Sequence, residues 1–91
     1  MSYEEFKAEL RSRKMNNILS CLEKNNDSNR AEGADVYCLF CDDTEATREK
    51  GIILSRMSSS VYMFSCGDGY NSIAIDRDID MEELEKLESV I

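Results

Sequence analysis

The sequence predicts one α+β domain over residues 1–91, with a small, mostly antiparallel sheet of about four strands flanked by an N-terminal and a C-terminal helix. Three observations lead to this prediction. The length suits one domain. Apolar residues recur at helical spacing near both ends of the chain. The middle holds short apolar runs separated by polar, glycine- and serine-containing segments, as strands and turns do.

Residues 2–24 are predicted to form the N-terminal helix. Ser2 is followed three residues later by Glu5, which is a capping-box pattern. The apolar side chains change face halfway along, so the helix either breaks there or contacts two different surfaces. We expect a continuous or slightly bent helix, with three apolar side chains near its start free to contact a partner or another part of the fold. These are Tyr3, Phe6 and Leu10.

The next three segments lead into the sheet. Residues 25–35 are polar and turn-rich, and are expected to form a mobile loop. Residues 36–41 (VYCLFC) are apolar on both faces, which predicts a central strand. Residues 42–50 are compatible with a short helix capped by Asp43 or Thr44, or with a long hairpin loop.

The last segments complete the predicted architecture. Residues 52–57 (IILSRM) are expected to form the second strand. Residues 61–66 and 70–76 flank Gly67-Asp68-Gly69, which predicts a hairpin. A helix is predicted over 80–91, where Asp80 and the acid three residues later resemble a capping box.

Composition excludes several functions. The chain has no histidine, so Ser–His and Cys–His nucleophile pairs, an imidazole base and histidine metal ligands are all excluded. We therefore do not expect an enzyme. No apolar run approaches the ~18 residues of a membrane span. The N-terminus is charged where a signal peptide would be apolar, which predicts a cytoplasmic protein.

No metal or cofactor is expected. Cys38 and Cys41 have a zinc-like spacing, but residues three apart in a strand point to opposite faces, about 10 Å apart. We expect free, mostly buried thiols, although a cross-strand bridge to Cys66 is geometrically open and a zinc or redox role is an alternative. The acids that begin at Asp76 lack the glycine and glutamate of a calcium loop.

Charge is the most informative feature. The chain has 19 acidic and 11 basic residues, a net charge of −8. Residues 1–24 hold five basic and four acidic groups, so the remaining residues carry −9. Such density repels nucleic acid and attracts basic surfaces. The predicted partner-binding residues are Asp42, Asp43, Tyr70, Asp76, Asp78, Asp80, Glu82, Glu83 and Glu85, with Tyr62 and Tyr37 as further aromatic anchors.

These features predict a small acidic binding protein that inhibits a basic, nucleic-acid-processing enzyme such as a nuclease by occluding its surface. In composition the chain is similar to phage anti-defence proteins, such as anti-CRISPR proteins, and to toxin-neutralising immunity proteins. The alternatives are a structural module that acts as a homo-oligomer and a small cysteine-based zinc-binding or redox regulator. Direct binding to nucleic acid or to a membrane is not expected.

Overall fold

A computed structural model of the chain describes residues 1–42, 44–65 and 71–91. Its helices and antiparallel sheet confirm the α+β class, although the described residues form three strands rather than about four. In chain order the elements are α1 (Tyr3–Ser12), α2 (Asn16–Asn25), α3 (Ser28–Ala31), β1 (Val36–Asp42), α4 (Glu45–Met57), β2 (Val61–Ser65), β3 (Asn71–Asp76) and α5 (Met81–Glu88).

The N-terminal segment is two helices, not the continuous helix that we expected. α1 ends in a Schellman motif, in which the N–H of Met15 donates to the carbonyl of Leu10 at 2.9 Å and that of Lys14 to the carbonyl of Arg11 at 3.2 Å. Lys14 has the left-handed conformation that this motif requires, with φ of 60°. The change of direction lets two apolar stripes on different sides of one helical wheel face the same core.

The first of these stripes packs inside the fold and is not free for a partner. Tyr3, Phe6 and Leu10 are each at most 1% exposed. The ring centroids of Tyr3 and Phe6 both lie 5.1 Å from that of Tyr37 in β1. The hydroxyl of Tyr3 also donates to the carbonyl of Leu22 at 3.2 Å, which ties α1 to α2.

The strand order is β1-β3-β2, so β3 is central and β1 lies at an edge. The sequence predicts a central β1 because that segment is apolar on both faces, and this prediction was wrong. In β3, residues 72–75 are all buried, whereas in β1 buried Tyr37 and Leu39 alternate with half-buried neighbours. A β-bulge between Cys38 and Phe40 shifts the register of β1 against β3 by one residue.

Two asparagines at the end of α2 close the outer edge of β1. The side-chain amide of Asn26 donates to the carbonyl of Cys38 at 2.8 Å and accepts from the N–H of Cys38 at 3.0 Å. The amide of Asn25 donates to the carbonyl of Leu39 at 2.7 Å. The two residues were expected to begin a mobile loop. Instead, their amides take the place of a neighbouring strand, since an amide both donates and accepts as a peptide group does.

The predicted strand at 52–57 is the second half of α4. The Thr44 hydroxyl accepts from the N–H of Thr47 at 3.2 Å and so caps the helix. Of the two alternatives for this segment, the helix capped by Thr44 is present, and it begins at Glu45. Gly51 and Leu54 are buried at helical spacing from Thr47. A short apolar run is compatible with a strand or a helix, and here the capped turn before it leads into a helix.

The two faces of the sheet differ. Ile73 points towards α4, because a Cβ placed on Gly51 would lie 2.8 Å from its Cδ1 atom. Tyr37 pairs with Ile75 and contacts α1 on the same side. Side chains alternate along each strand, so their neighbours point the other way. We call the side of the sheet that faces α1 and α4 the helix face (Tyr37, Ile73, Ile75). The opposite side is the open face (Tyr62, Phe64, Ala74).

The predicted hairpin pairing is present between β2 and β3, which are antiparallel from Val61 opposite Ile75 to Ser65 opposite Asn71. Its predicted turn at 67–69 lies outside the described residues. Among the residues that are described, no helix is long and apolar enough to cross a membrane.

Candidate partner-binding surface

Two aromatic side chains of β2 are exposed on the open face. Tyr62 and Phe64 are 38% and 46% exposed, and their ring centroids lie 6.3 Å apart. Opposite them on β3 lie the small side chains of Ala74 and Ser72, both buried. The rings therefore form a ridge beside a shallow floor. The sequence reasoning named Tyr62 but missed Phe64, although the alternation of a strand puts both residues on one face.

An acidic turn joins this ridge at the end of β3. The hydroxyl of Tyr62 donates to Oδ2 of Asp76 at 3.2 Å, and Oδ1 of Asp76 accepts from the N–H of Asp78 at 2.9 Å. The bond to the Asp76 carboxylate raises the pKa of the Tyr62 hydroxyl. One predicted anchor and two predicted acids thus share a surface. We call it the aromatic–acidic surface (Tyr62, Phe64, Asp76, Asp78).

Arg77, the basic residue of this turn, contacts other parts of the chain. The guanidinium of Arg77 donates to the carbonyl of Ala34 at 3.2 Å and to that of Met1 at 2.8 Å. Both bonds lead to the segments that precede α1 and β1, not to Tyr62 or Asp76. The positive charge therefore does not lie on the aromatic–acidic surface.

The two residues of the predicted capping box at the start of α5, Asp80 and Glu83, form different contacts. Asp80 caps the helix by accepting from the N–H of Glu82 at 2.9 Å. Glu83 does not complete a capping box, and its Oε2 accepts instead from the hydroxyl of Ser58 at 3.1 Å. This bond links α5 to the end of α4. The side chains of Asp78 and Glu82 are exposed.

Two further acids connect α5 to the N-terminal helices. Glu85 forms an ion pair with Arg13 at 3.0 Å. Glu88 accepts hydrogen bonds from the backbone N–H groups of Asn17 and Ile18. Only the first contact places an opposite charge beside the carboxylate. The carboxylates of Asp76, Asp80, Glu83 and Glu88 accept from neutral donors instead, which orders them without pairing them with a basic side chain.

Asp42 organises the start of α4. Its carboxylate accepts from the N–H of Thr44 at 2.9 Å, from the hydroxyl of Thr44 at 2.8 Å and from that of Thr47 at 2.9 Å. These hydrogen bonds, led by the one from the Thr44 N–H, lower the pKa of Asp42. The predicted site residues Asp43 and Tyr70 lie outside the described residues.

Tyr37 is not available as an interface anchor, contrary to the sequence prediction. Its side chain is fully buried beneath α1, and burial raises its pKa. The hydroxyl is buried too, and it has no hydrogen-bond partner in the described part of the chain. The apolar alternation of β1 indicated a core position for this residue as readily as an exposed one.

The bulge in β1 changes the geometry expected for the cysteines. Cys38 pairs with Ala74 and Cys41 with Ser72, two β3 residues on the same face. The two thiols therefore lie on one face, not on opposite faces as a regular strand requires. Burial raises the pKa of Cys21, which disfavours its reactive thiolate. The proposed bridges to Cys66 lie outside the described residues.

The described residues hold no evident metal centre. They contain no group of three or more acidic or cysteine side chains placed to hold a metal ion. A depression of about 560 Å³ at the junction of α2 and α3 is lined in part by Lys24, Asn26, Asp27 and Arg30. Asn26 is bonded to β1 and Asp27 caps α3. This lining lacks the paired nucleophile and base that covalent catalysis requires.

Comparison of the chain with protein-family models, with curated proteins and with solved structures found no match in any of the three.

Proposed function

We propose that the protein is a cytoplasmic, non-catalytic inhibitor that occludes the basic surface of a nucleic-acid-processing protein, such as the nucleic-acid channel of a nuclease. The observation that carries this proposal is the hydrogen bond between Tyr62 and Asp76. It holds an exposed aromatic ridge directly beside an acidic turn. Apolar anchors next to complementary charge are what a protein-binding surface needs.

The two parts of the surface have different tasks in this proposal. Tyr62 and Phe64 supply contact area that leaves water on binding, and aromatic side chains dominate such contacts. Asp76 and Asp78 supply charge that attracts a basic partner and sets its orientation. The net charge of −8 extends this attraction beyond the surface itself. Phage anti-defence and toxin-immunity proteins are the classes that such a mechanism suits.

The intramolecular hydrogen bonds favour tight binding. Asp76 is held by Tyr62 and by the N–H of Asp78, so its carboxylate loses little conformational freedom when a partner binds. The same holds for Asp80 at the start of α5. A row of fixed carboxylates occupies a cationic channel in the way that phosphates do, which is the basis of nucleic-acid mimicry.

The experiment requires an isolated partner. A protein captured from the native host is purified, and its affinity for the wild type is measured from low to high salt. The double variant Asp78→Lys/Glu82→Lys reverses one acid of this surface and one exposed acid in the first turn of α5. It should weaken binding by at least ~10-fold and flatten the salt dependence. The control is Glu32→Lys with Asp35→Lys, two exposed acids outside the surface with the same change in net charge.

Two results would contradict the proposal. One is binding that does not weaken as salt rises. The other is equal loss of affinity in the two charge-reversed variants, because net charge alone would then explain it. Phe64→Ala tests the aromatic part separately, and we expect it to raise the dissociation rate while changing the association rate little.

A further inference from the structure

The outer edge of β2 presents backbone hydrogen-bonding groups to solvent. The N–H of Asp76 donates to the carbonyl of Ser60 at 2.9 Å. In this antiparallel ladder the even-numbered residues of β2 therefore direct their backbone N–H and carbonyl groups towards β3. Val61, Met63 and Ser65 therefore direct their backbone groups outwards. Within the described residues, β2 pairs with β3 and with no other strand.

This edge lacks the protection that the opposite edge has. Asn25 and Asn26 close the outer edge of β1. Exposed edge strands usually carry charged residues, proline or a bulge that prevents pairing with another chain. Residues 57–65 (MSSSVYMFS) contain none of these charges and no proline, although 33% of the chain is charged. The register of β2 with β3 is also continuous.

We infer that this edge pairs with β2 of a second copy of the chain, so that two three-stranded sheets become one sheet of six strands. The neutrality of the strand identifies the occupant. Two copies with a charge of −8 each can pair along residues 61–65 without placing like charges opposite each other. A basic segment of another protein would find no carboxylate on this strand.

The strand is also complementary to itself. In the antiparallel arrangement that overlaps all five residues of β2, Met63 lies on the two-fold axis. Its N–H then donates to the carbonyl of Met63 in the second copy, and the reverse bond forms by symmetry. The only intramolecular contact of an outward N–H in β2 among the described residues is the long one from Val61 to Ser58, at 3.4 Å.

The same arrangement brings the exposed rings together. With Met63 on the axis, Tyr62 lies opposite Phe64 of the second copy, on the open face. The two-fold axis generates two such pairs, each with one ring from either copy, so four rings form a continuous cluster. Edge pairing leaves the open face accessible, so this inference does not require the proposed partner, although the two contacts share Tyr62 and Phe64.

Sedimentation equilibrium of the full chain over a range of concentrations tests the inference. We expect a reversible shift to twice the monomer mass, and tighter association at high salt because salt screens repulsion between two acidic chains. Binding to a basic partner has the opposite salt dependence. Met63→Lys should raise the dimer dissociation constant at least ~100-fold, since it places two ammonium groups together at the axis.

Two further variants make the result decisive. Ile53→Lys adds the same charge at an exposed position of α4 outside residues 57–65 and should dimerise like the wild type. Ser65→Pro removes an outward N–H without touching the β2–β3 ladder, so it tests the edge if Met63→Lys unfolds. A wild type that remains monomeric at ~1 mM, or a Ser65→Pro variant that dimerises normally, would overturn the inference.

Discussion

Glu88, in the last turn of α5, caps a helix that begins 72 positions earlier in the chain: its carboxylate accepts from the backbone N–H of Asn17 at 2.8 Å and from that of Ile18 at 2.9 Å. Met15, the N-cap residue of α2, forms no side-chain hydrogen bond that caps the helix. A long-range contact therefore supplies what Ser2 and Thr44 supply locally for α1 and α4.

Removal of this contact should destabilise the fold. We expect Glu88→Ala to lower the free energy of unfolding by about 1–2 kcal/mol, because two N–H groups at the start of α2 lose their acceptor. Glu88→Gln should lose less, since its amide oxygen still accepts. Urea denaturation measures both. Glu82→Ala is the control, and an equal loss there would show that Glu88 acts through charge alone.

Two buried tyrosines should respond oppositely to loss of the hydroxyl. Tyr37→Phe removes a buried hydroxyl without a partner in the described part of the chain and should leave stability unchanged or raise it by up to ~1 kcal/mol. Tyr3→Phe removes the bond to the carbonyl of Leu22 and should cost about 1 kcal/mol. Thermal unfolding of the matched pair provides the test. Destabilisation of similar size in both would show that Tyr37 has a partner.

The seal on the β1 edge depends on Asn26. Asn26→Ala should cost about 2 kcal/mol, because both the N–H and the carbonyl of Cys38 lose their partner. Asn29→Ala, at an exposed position of α3, should change stability by less than ~0.5 kcal/mol. Hydrogen exchange gives a direct readout, since the amide of Cys38 should exchange faster in the first variant only. Unchanged exchange there would contradict the proposed seal.

Gly51 is required by packing against β3. Alanine in a helix is normally favoured over glycine by about 1 kcal/mol, but its Cβ here would lie 2.8 Å from Cδ1 of Ile73. Ile73 is fully buried and has little room to move. We expect Gly51→Ala to destabilise the protein, and to do so less in an Ile73→Val background that lacks this Cδ1 atom. Strict additivity of the two substitutions would rule out the contact as the cause.

Asp42 should make the start of α4 sensitive to acid. Its pKa is lowered in the folded state, so its contribution to stability is present above the unfolded pKa of about 3.9 and is lost as pH falls through the lower folded value. The stability difference between wild type and Asp42→Ala should therefore shrink below about pH 4. NMR titration of the carboxyl carbon measures the shift directly. A midpoint at or above the ordinary value would refute it.

Local signals in the sequence predicted several elements correctly. The capping box of Ser2 and Glu5 is formed, with the N–H of Glu5 donating to the Ser2 hydroxyl at 3.1 Å and the reciprocal bond at 3.2 Å. Asp80 begins the last helix. These signals depend on residues within one turn of each other, so no knowledge of the tertiary fold is needed to recognise them.

The errors concern choices that tertiary contacts decide. The apolar residues that follow Gly51 suit a strand or a helix equally, and the cap at Thr44 together with packing on Ile73 favours the helix. The position of β1 at an edge depends on asparagines from α2. In the candidate site, the pairing of Tyr62 with Asp76 follows from the hairpin register, whereas the role of Glu88 requires the complete fold.

The edge of β1 that Asn25 and Asn26 close limits how many strands can be added to the sheet. A strand arriving beside Cys38 would find its backbone groups already bonded to Asn26. In the inferred pair, each sheet uses the open edge of β2, so a third copy would have to pair along the edge of β1. Because the two asparagines occupy that edge, they restrict edge-to-edge association to a closed pair. They exclude the endless stacking of strands from which fibrils are built.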